Sequence, residues 1–227
     1  MKTSRGSRWA VPILVSCLSA SPVSAQGPTF EGSLSLTSDY LFRGFSQTSG
    51  KPARQVGADL SWDSICVSFW GSNVDFGDDL AEYELDFGVS WSRELGVDVS
   101  LTLTATHYVY VGYRDGDYSE FFLFLKWRNT RLGMAVAPKY FGTPIEASYV
   151  ELEHRVELPR STEAFFHVGY NAFENDPYVP PLAEYLDASL GVRRSWAFAA
   201  LELTLQTAEP VGRSYLVATL SVPFRVF

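Results

Sequence analysis

Residues 82–91 read EYELDFGVSW, and the way their side chains divide decides the fold. Tyr83, Leu85, Phe87, Val89 and Trp91 alternate with Glu82, Glu84, Asp86, Gly88 and Ser90. A period of two sends the two sets to opposite faces of a β-strand, whereas a helix would space its apolar residues by three and four. One face is apolar and the other carries carboxylates.

The same alternation recurs along the chain. In VDVSLTLTATH (97–107), Val97, Val99, Leu101, Leu103 and Ala105 alternate with Asp98, Ser100, Thr102, Thr104 and Thr106. Near the end, Leu201, Leu203 and Leu205 alternate with Glu202, Thr204 and Gln206. Taken together, such segments predict twelve strands, at 30–44, 53–62, 65–74, 82–93, 97–110, 118–128, 132–140, 147–157, 162–171, 182–193, 196–207 and 214–224. Many are as long as the roughly 9 to 11 tilted residues that cross a bilayer. An even count suits a single-chain bacterial barrel.

The connections alternate as well. DS, ELG, NTR, LPRS and RS follow even-numbered strands, while FSQTSGKPA, GYRDGD and AFENDPYVPP follow odd-numbered ones. Short periplasmic turns and longer outer loops fit an all-β, antiparallel transmembrane barrel whose chain starts in the periplasm. In that orientation Trp62, Trp91, Trp127 and Trp196 fall at periplasmic strand ends, as a membrane-interface girdle would. A secreted soluble β-domain is the alternative, with 15% aromatic residues compatible with either.

The first 25 residues carry Lys2, Arg5 and Arg8, then the apolar run WAVPILVSCLSA and the small residues VSA. This is the pattern of a secretory signal, with cleavage expected after Ala25 and the barrel over 26–227. A lipobox reading of LVSC at Cys17 would shorten the apolar region to about eight residues, near the lower limit for a signal. Loss of the three basic residues turns the formal charge of −8 into −11, against nucleic acid as a partner. Cys17 would leave with the signal, so Cys66 is expected to stand alone in the mature chain.

Two stretches carry a family resemblance. LTSDYLFRGFSQT (36–48) and WGSNVDFGDD (70–79), the latter followed by the acidic strand, resemble the TorF-family porins of the bacterial outer membrane, also known as the Gcw_chp domain family. The resemblance implies an outer-membrane barrel that passes small solutes, and brings no catalytic residues and no assigned substrate. Phe227 is the expected terminal aromatic but has the opposite parity to Leu216, Ala218, Leu220, Val222 and Phe224.

Parity also assigns the charges. A charge facing hydrocarbon at the midplane costs about 2 to 4 kcal/mol for Arg or Lys and somewhat less for acids. The inward set is therefore Asp39, Arg43, Asp59, Glu82, Glu84, Asp86, Glu120, Lys126, Glu151, Glu153, Arg155, Asp187, Arg193 and Glu202. Either these ions pair simply to be satisfied, or opposing ladders define a selective constriction. Asp75, Asp78 and Asp79 are expected at the acidic outer mouth. Tyr40 and Phe42 are read as outer girdle residues, and Phe122 and Phe124 as inward rings that narrow the lumen.

No metal site or cofactor is expected. DFGDD lacks the alternate acids and closing Glu of an EF-hand loop, and the glycines open no phosphate-cradling helix. His107, His154 and His167 have no Ser two positions away, which leaves only a cross-strand nucleophile and base for an enzyme. The sequence thus points to a monomeric outer-membrane channel for passive diffusion of small polar solutes, cationic or neutral, and not to an enzyme. Its expected partners are outer-membrane lipid, periplasmic chaperones and the barrel-assembly machinery. The alternatives are a closed barrel working through its outer loops, or a lipid-modifying enzyme.

Overall fold

The computed structural model describes residues 27–77, 81–174 and 184–226. The signal region, Asp78, Asp79 and Phe227 lie outside the described residues. The first strands are β1 (Thr29–Thr37), the short β2 (Leu41–Phe42) and β3 (Phe45–Ser46), β4 (Ala53–Trp62), β5 (Ile65–Asn73), β6 (Tyr83–Gly96) and β7 (Val99–Val111). There follow β8 (Tyr118–Trp127), β9 (Thr130–Ala137), β10 (Ala147–Leu158), β11 (Thr162–Phe173), β12 (Glu184–Ser195), β13 (Ala200–Ala208) and β14 (Ser214–Arg225).

Twelve of these close into one antiparallel barrel, sealed where β1 pairs with both β14 and β4, and β2 and β3 form a separate two-stranded sheet. Closure leaves no sheet edge, so every strand backbone finds its partner inside the sheet, as hydrocarbon requires. The outward face is apolar and open: Leu34, Val67, Phe87, Phe121, Leu190 and Leu216 are each exposed. No helix among the described residues is long and apolar enough to cross a membrane, which says nothing of a barrel that crosses with strands.

One end of the barrel is made of tight turns. Asp63, Asp98, Arg128, Arg160 and Ser161 adopt positive φ there, the backbone twist that short hairpin connections need. Long connections gather at the other end.

Several strand limits differ from the sequence reading. The first barrel strand stops at Thr37 rather than continuing to residue 44, because the chain there turns into the barrel and forms the β2–β3 hairpin before β4. β9 ends at Ala137, so Pro138 lies beyond the ladder, whereas Pro223 sits within β14 opposite Ser33. The strand expected from 196 starts at Ala200, because Trp196 N–H donates to the Ala199 carbonyl (2.7 Å) in a turn. Cys66 is buried, and in the full-length chain it is not a free thiol. The solitary cysteine expected of the mature chain concerns a chain without Cys17, which lies outside the described residues.

Candidate functional site

The lumen is crossed by the hairpin that the chain makes between β1 and β4. Its turn is Arg43–Gly44, with φ of 47° and 85°. Two consecutive positive φ angles are the signature of the two-residue turn that matches strand twist. Gly44 is required twice over: a side chain is disfavoured at that φ, and a Cβ there would overlap the Cβ of Ala208 on β13.

From that contact the hairpin reaches across to the opposite wall. Arg43 Nη2 meets Glu120 Oε1 on β8 at 2.6 Å, with side chains 7% and 0% exposed. Its guanidinium also lies 4.0 Å over the Tyr149 ring of β10, a cation–π contact that strengthens where water is excluded. At the base of the loop, Asp39 accepts hydrogen bonds from Ser46 Oγ (2.6 Å) and Thr48 Oγ1 (2.8 Å). Outside, Lys51 Nζ pairs with Asp75 Oδ2 at 2.6 Å, and Asp75 N–H donates to the Gln47 carbonyl at 2.7 Å.

Aromatic rings fill the barrel end on the long-loop side. Tyr40 packs on Trp70 (5.1 Å between ring centres), Tyr108 stacks on Tyr118 (4.4 Å), and Phe141 covers Tyr110 (4.8 Å). Tyr40 and Phe42 are therefore interior residues, not outer girdle residues. The turn at Arg43–Gly44 brings them under the rim, where Tyr40 is 7% exposed and Phe42 faces Tyr108. Burial first, then the nearby Glu84 and Asp86 carboxylates, hold the Tyr40 phenol well above its ordinary value of 10.0. Burial pushes the Tyr140 phenol, in the loop after β9, up to about 12. Both rings are neutral at physiological pH.

Beyond the hairpin the wall formed by β9 to β13 carries a ladder of ions. Arg131 Nη2 bridges Glu151 (2.8 Å) and Glu153 (3.4 Å), and Arg155 bridges Glu153 (2.8 Å) and Glu163 (3.4 Å). Arg193 faces Glu202 at 3.9 Å. Beside them His167 Nε2 lies 2.8 Å from the Tyr149 hydroxyl and 3.2 Å from Asp187, which also accepts from Asn171 at 3.0 Å. Across the lumen, β1 and β4 to β7 present small polar residues such as Ser35, Ser90, Thr102 and Thr104. A cavity of about 100 Å³ between these walls is lined by Arg43, Trp70, Phe124, Arg131, Glu151 and His167 among others.

Of the residues assigned inward from the sequence, Asp39, Arg43, Glu84, Asp86, Glu120, Glu151, Glu153, Asp187 and Arg193 are buried inside the barrel. Asp59, Arg155 and Glu202 share the inward parity and are half-buried, and Lys126 is more open near the short-turn end. Glu82 is a correction. It is exposed at the rim, one residue before β6 begins, so its parity does not place it on the wall.

Asp75 is at the outer mouth, tied to Lys51. Trp62, Trp91, Trp127 and Trp196 all face outward and are 70%, 39%, 58% and 43% exposed. Trp62 and Trp127 end their strands, Trp196 follows β12, and Trp91 lies further inside β6, which runs on to Gly96. Trp91 nevertheless pairs with Ile65, the residue that pairs with Trp62.

The sequence reading missed Arg131, Glu163, Tyr149 and His167 as lumenal residues. Their parity was available, but Arg131 falls one position before the strand limit chosen. His107 Nδ1 and Ser119 Oγ are 3.0 Å apart on the outward face, the cross-strand arrangement the sequence left open. Among the described residues no carboxylate hydrogen-bonds to His107, and no group of three or more His, Cys, Asp or Glu could hold a metal ion.

Comparison with solved structures places the fold among outer-membrane barrels. A structure described as "KdgM porin" superposes with a TM-score of 0.57 at 5% identity, covering 88% of this chain and 99% of that one. One from "Unveiling the Mechanism Behind the in-meso Crystallization of Membrane Proteins" gives 0.54 at 9% identity, covering 86% and 83%. The COG4313 outer membrane channel from Pseudomonas putida F1 gives 0.48 at 9% identity, covering 89% and 97%. At such identities the likeness concerns the fold. No curated protein sequence matches the chain. A family model described as "Bacterial protein of unknown function (Gcw_chp)" matches residues 20–208, and the chain belongs to that family.

Proposed function

We propose that this protein is a narrow outer-membrane channel for small polar solutes, cationic or neutral, with the inward hairpin of its first outer loop as the constriction. The observation that carries the reading is the buried Arg43–Glu120 pair, which holds a charged hairpin tip against the lumenal wall. A barrel with a packed apolar interior would have no use for it, since a buried ion pair is weak evidence of stability. Rings of charge at a narrowing are instead how pores select.

The sign of the preference follows from the acids. The one cation of the hairpin tip is neutralised by Glu120, and Arg131 and Arg155 each bridge two carboxylates. Asp59, Glu84, Asp86 and Asp187 add further carboxyl groups on the inward parity. Outer-membrane lipid around the exposed apolar belt, periplasmic chaperones and the assembly machinery complete this reading, with a single barrel as the working unit.

Planar-bilayer recording of the refolded mature chain tests it. Small discrete openings with cation-selective reversal potentials in a KCl gradient are expected, and anion-selective potentials would overturn the preference. The aromatic packing of Tyr108, Tyr110, Tyr118 and Phe141 favours a second reading, a closed barrel acting through its outer loops. Electrical silence both of the mature chain and of a variant lacking residues 40–47 would select that second reading.

A further inference from the structure

The cluster at the outer end of β6 holds more carboxyl oxygens than its neighbours satisfy. Asp86 is 3% exposed, and neither of its carboxylate oxygens has a hydrogen-bond partner among the described residues. Glu84, also 3% exposed, receives the Tyr110 hydroxyl on Oε1 (3.0 Å) and turns its other oxygen toward Tyr40. Glu120 lies within electrostatic reach of Asp86, but its charge is already matched by Arg43. No Lys, Arg or His of the described residues comes within ion-pair distance of Glu84 or Asp86. Two buried carboxylates thus lack a counter-ion of their own.

The surroundings supply what a cation would need. The Thr106 hydroxyl, 3% exposed, is a further buried oxygen without a hydrogen-bond partner. It lies beside Gly88, the inward position next to Asp86, where the absent side chain leaves room that the Ser68 hydroxyl enters. Trp70 and Tyr108 flank Asp86 as its cross-strand neighbours, and aromatic faces attract cations. Among the described residues no three acidic or metal-ligating side chains converge at metal distances, as an all-protein cage for a divalent ion would need. Burying an uncompensated carboxylate is costly, so each such group calls for a partner.

We propose that Asp86, Glu84 and Thr106 form a binding site for one small monovalent cation, an alkali ion or the head of a protonated primary amine. As a station for a permeating cation the site rests on the channel reading. As a binding site it does not, and its test requires no ion flow.

Thermal unfolding of the refolded protein in detergent, followed by tryptophan fluorescence, is measured at constant ionic strength. KCl, NaCl or methylammonium chloride replaces N-methylglucamine chloride, whose cation is far larger than the other three. A saturable rise of several degrees in the midpoint is expected, because a ligand that binds only the folded state stabilises it. Asp86→Asn should abolish that rise and unfold in N-methylglucamine at or above the wild-type midpoint, since it removes an unmatched carboxyl group. Should Asp86→Asn not fold, Thr106→Val is the second variant, expected to raise the half-saturating concentration severalfold.

A wild-type midpoint indifferent to the choice of cation overturns the proposal, as does an undiminished response in Asp86→Asn or Thr106→Val. A response to potassium but not methylammonium identifies the ligand as an alkali ion, and the converse as an amine. A barrel that binds cations but conducts nothing retains the site and loses only the channel reading.

Discussion

Arg43 and Glu120, 77 residues apart in the chain, form a 2.6 Å ion pair inside the barrel and fix the hairpin tip to β8. Among the described residues this is the side-chain hydrogen bond that joins the tip to the wall, so the pair carries the hairpin's orientation. Removing one partner leaves the other buried and unmatched, which typically costs about 3–5 kcal/mol, whereas removing both leaves no unmatched charge. Arg43→Ala should therefore lower the urea midpoint strongly, and Arg43→Ala with Glu120→Ala should recover part of the loss. Equal effects of the single and double variants in equilibrium unfolding would count against the pair as the anchor.

The turn behind that pair gives a second prediction. Gly44 has φ of 85° and meets Ala208 with no room for a Cβ. Gly44→Ala combines a disfavoured backbone, roughly 1–2 kcal/mol, with a steric overlap. Adding Ala208→Gly should relieve the overlap and leave the backbone cost. Larger conductance in Gly44→Ala, partly reversed by Ala208→Gly, would tie the turn to the width of the lumen. Unchanged conductance and midpoint would show that the hairpin does not constrict the pore.

Much of the barrel was legible because its solvent divides it. Hydrocarbon outside and polar groups inside impose a period of two on Tyr83 to Trp91, and the tight turns leave their mark at Asp63, Asp98 and Arg128. The hairpin was not legible for the same reason. Tyr40 and Phe42 continue the even-numbered apolar parity of Leu34 and Leu36, so they read as more wall. Only Arg43–Gly44 breaks the pattern, and an Arg–Gly turn is a weaker signal than Asn–Gly or Asp–Gly. His167 has its partners Tyr149 and Asp187 on the two neighbouring strands, where spacing along its own strand carries no sign of them.

The outer tether of the loop should respond to pH and salt. The hydrogen bond from Lys51 holds the Asp75 carboxyl below the usual carboxylate range, with the Gly77 N–H adding to it, and the same bond raises Lys51. A lowered acid contributes above its unfolded value and ceases to contribute as pH falls through its folded one. A raised amine contributes below its unfolded value and ceases as pH rises through its folded one. The tether is thus strongest between those limits, and both groups are exposed enough for salt to screen them. Amide exchange at Asp75, whose N–H donates to Gln47, should lose protection in Lys51→Met and in molar salt. Protection unaltered by either change would mean that the backbone bond alone closes the loop.

The tryptophans test the assignment of the two faces. Trp62, Trp91, Trp127 and Trp196 face outward, whereas Trp70 is half-buried against Tyr40 inside. Amphipathic rings settle at headgroup depth, so each outward residue, kept as the sole tryptophan, should be quenched by lipids brominated near the headgroup. Trp91 shares with Trp62 the rung that runs through Ile65, so these two should respond alike to the depth of the bromine. Trp70 alone should be quenched by neither, because the barrel wall separates its ring from lipid. Quenching of Trp70 equal to that of Trp62 would mean that the polar face does not enclose a lumen.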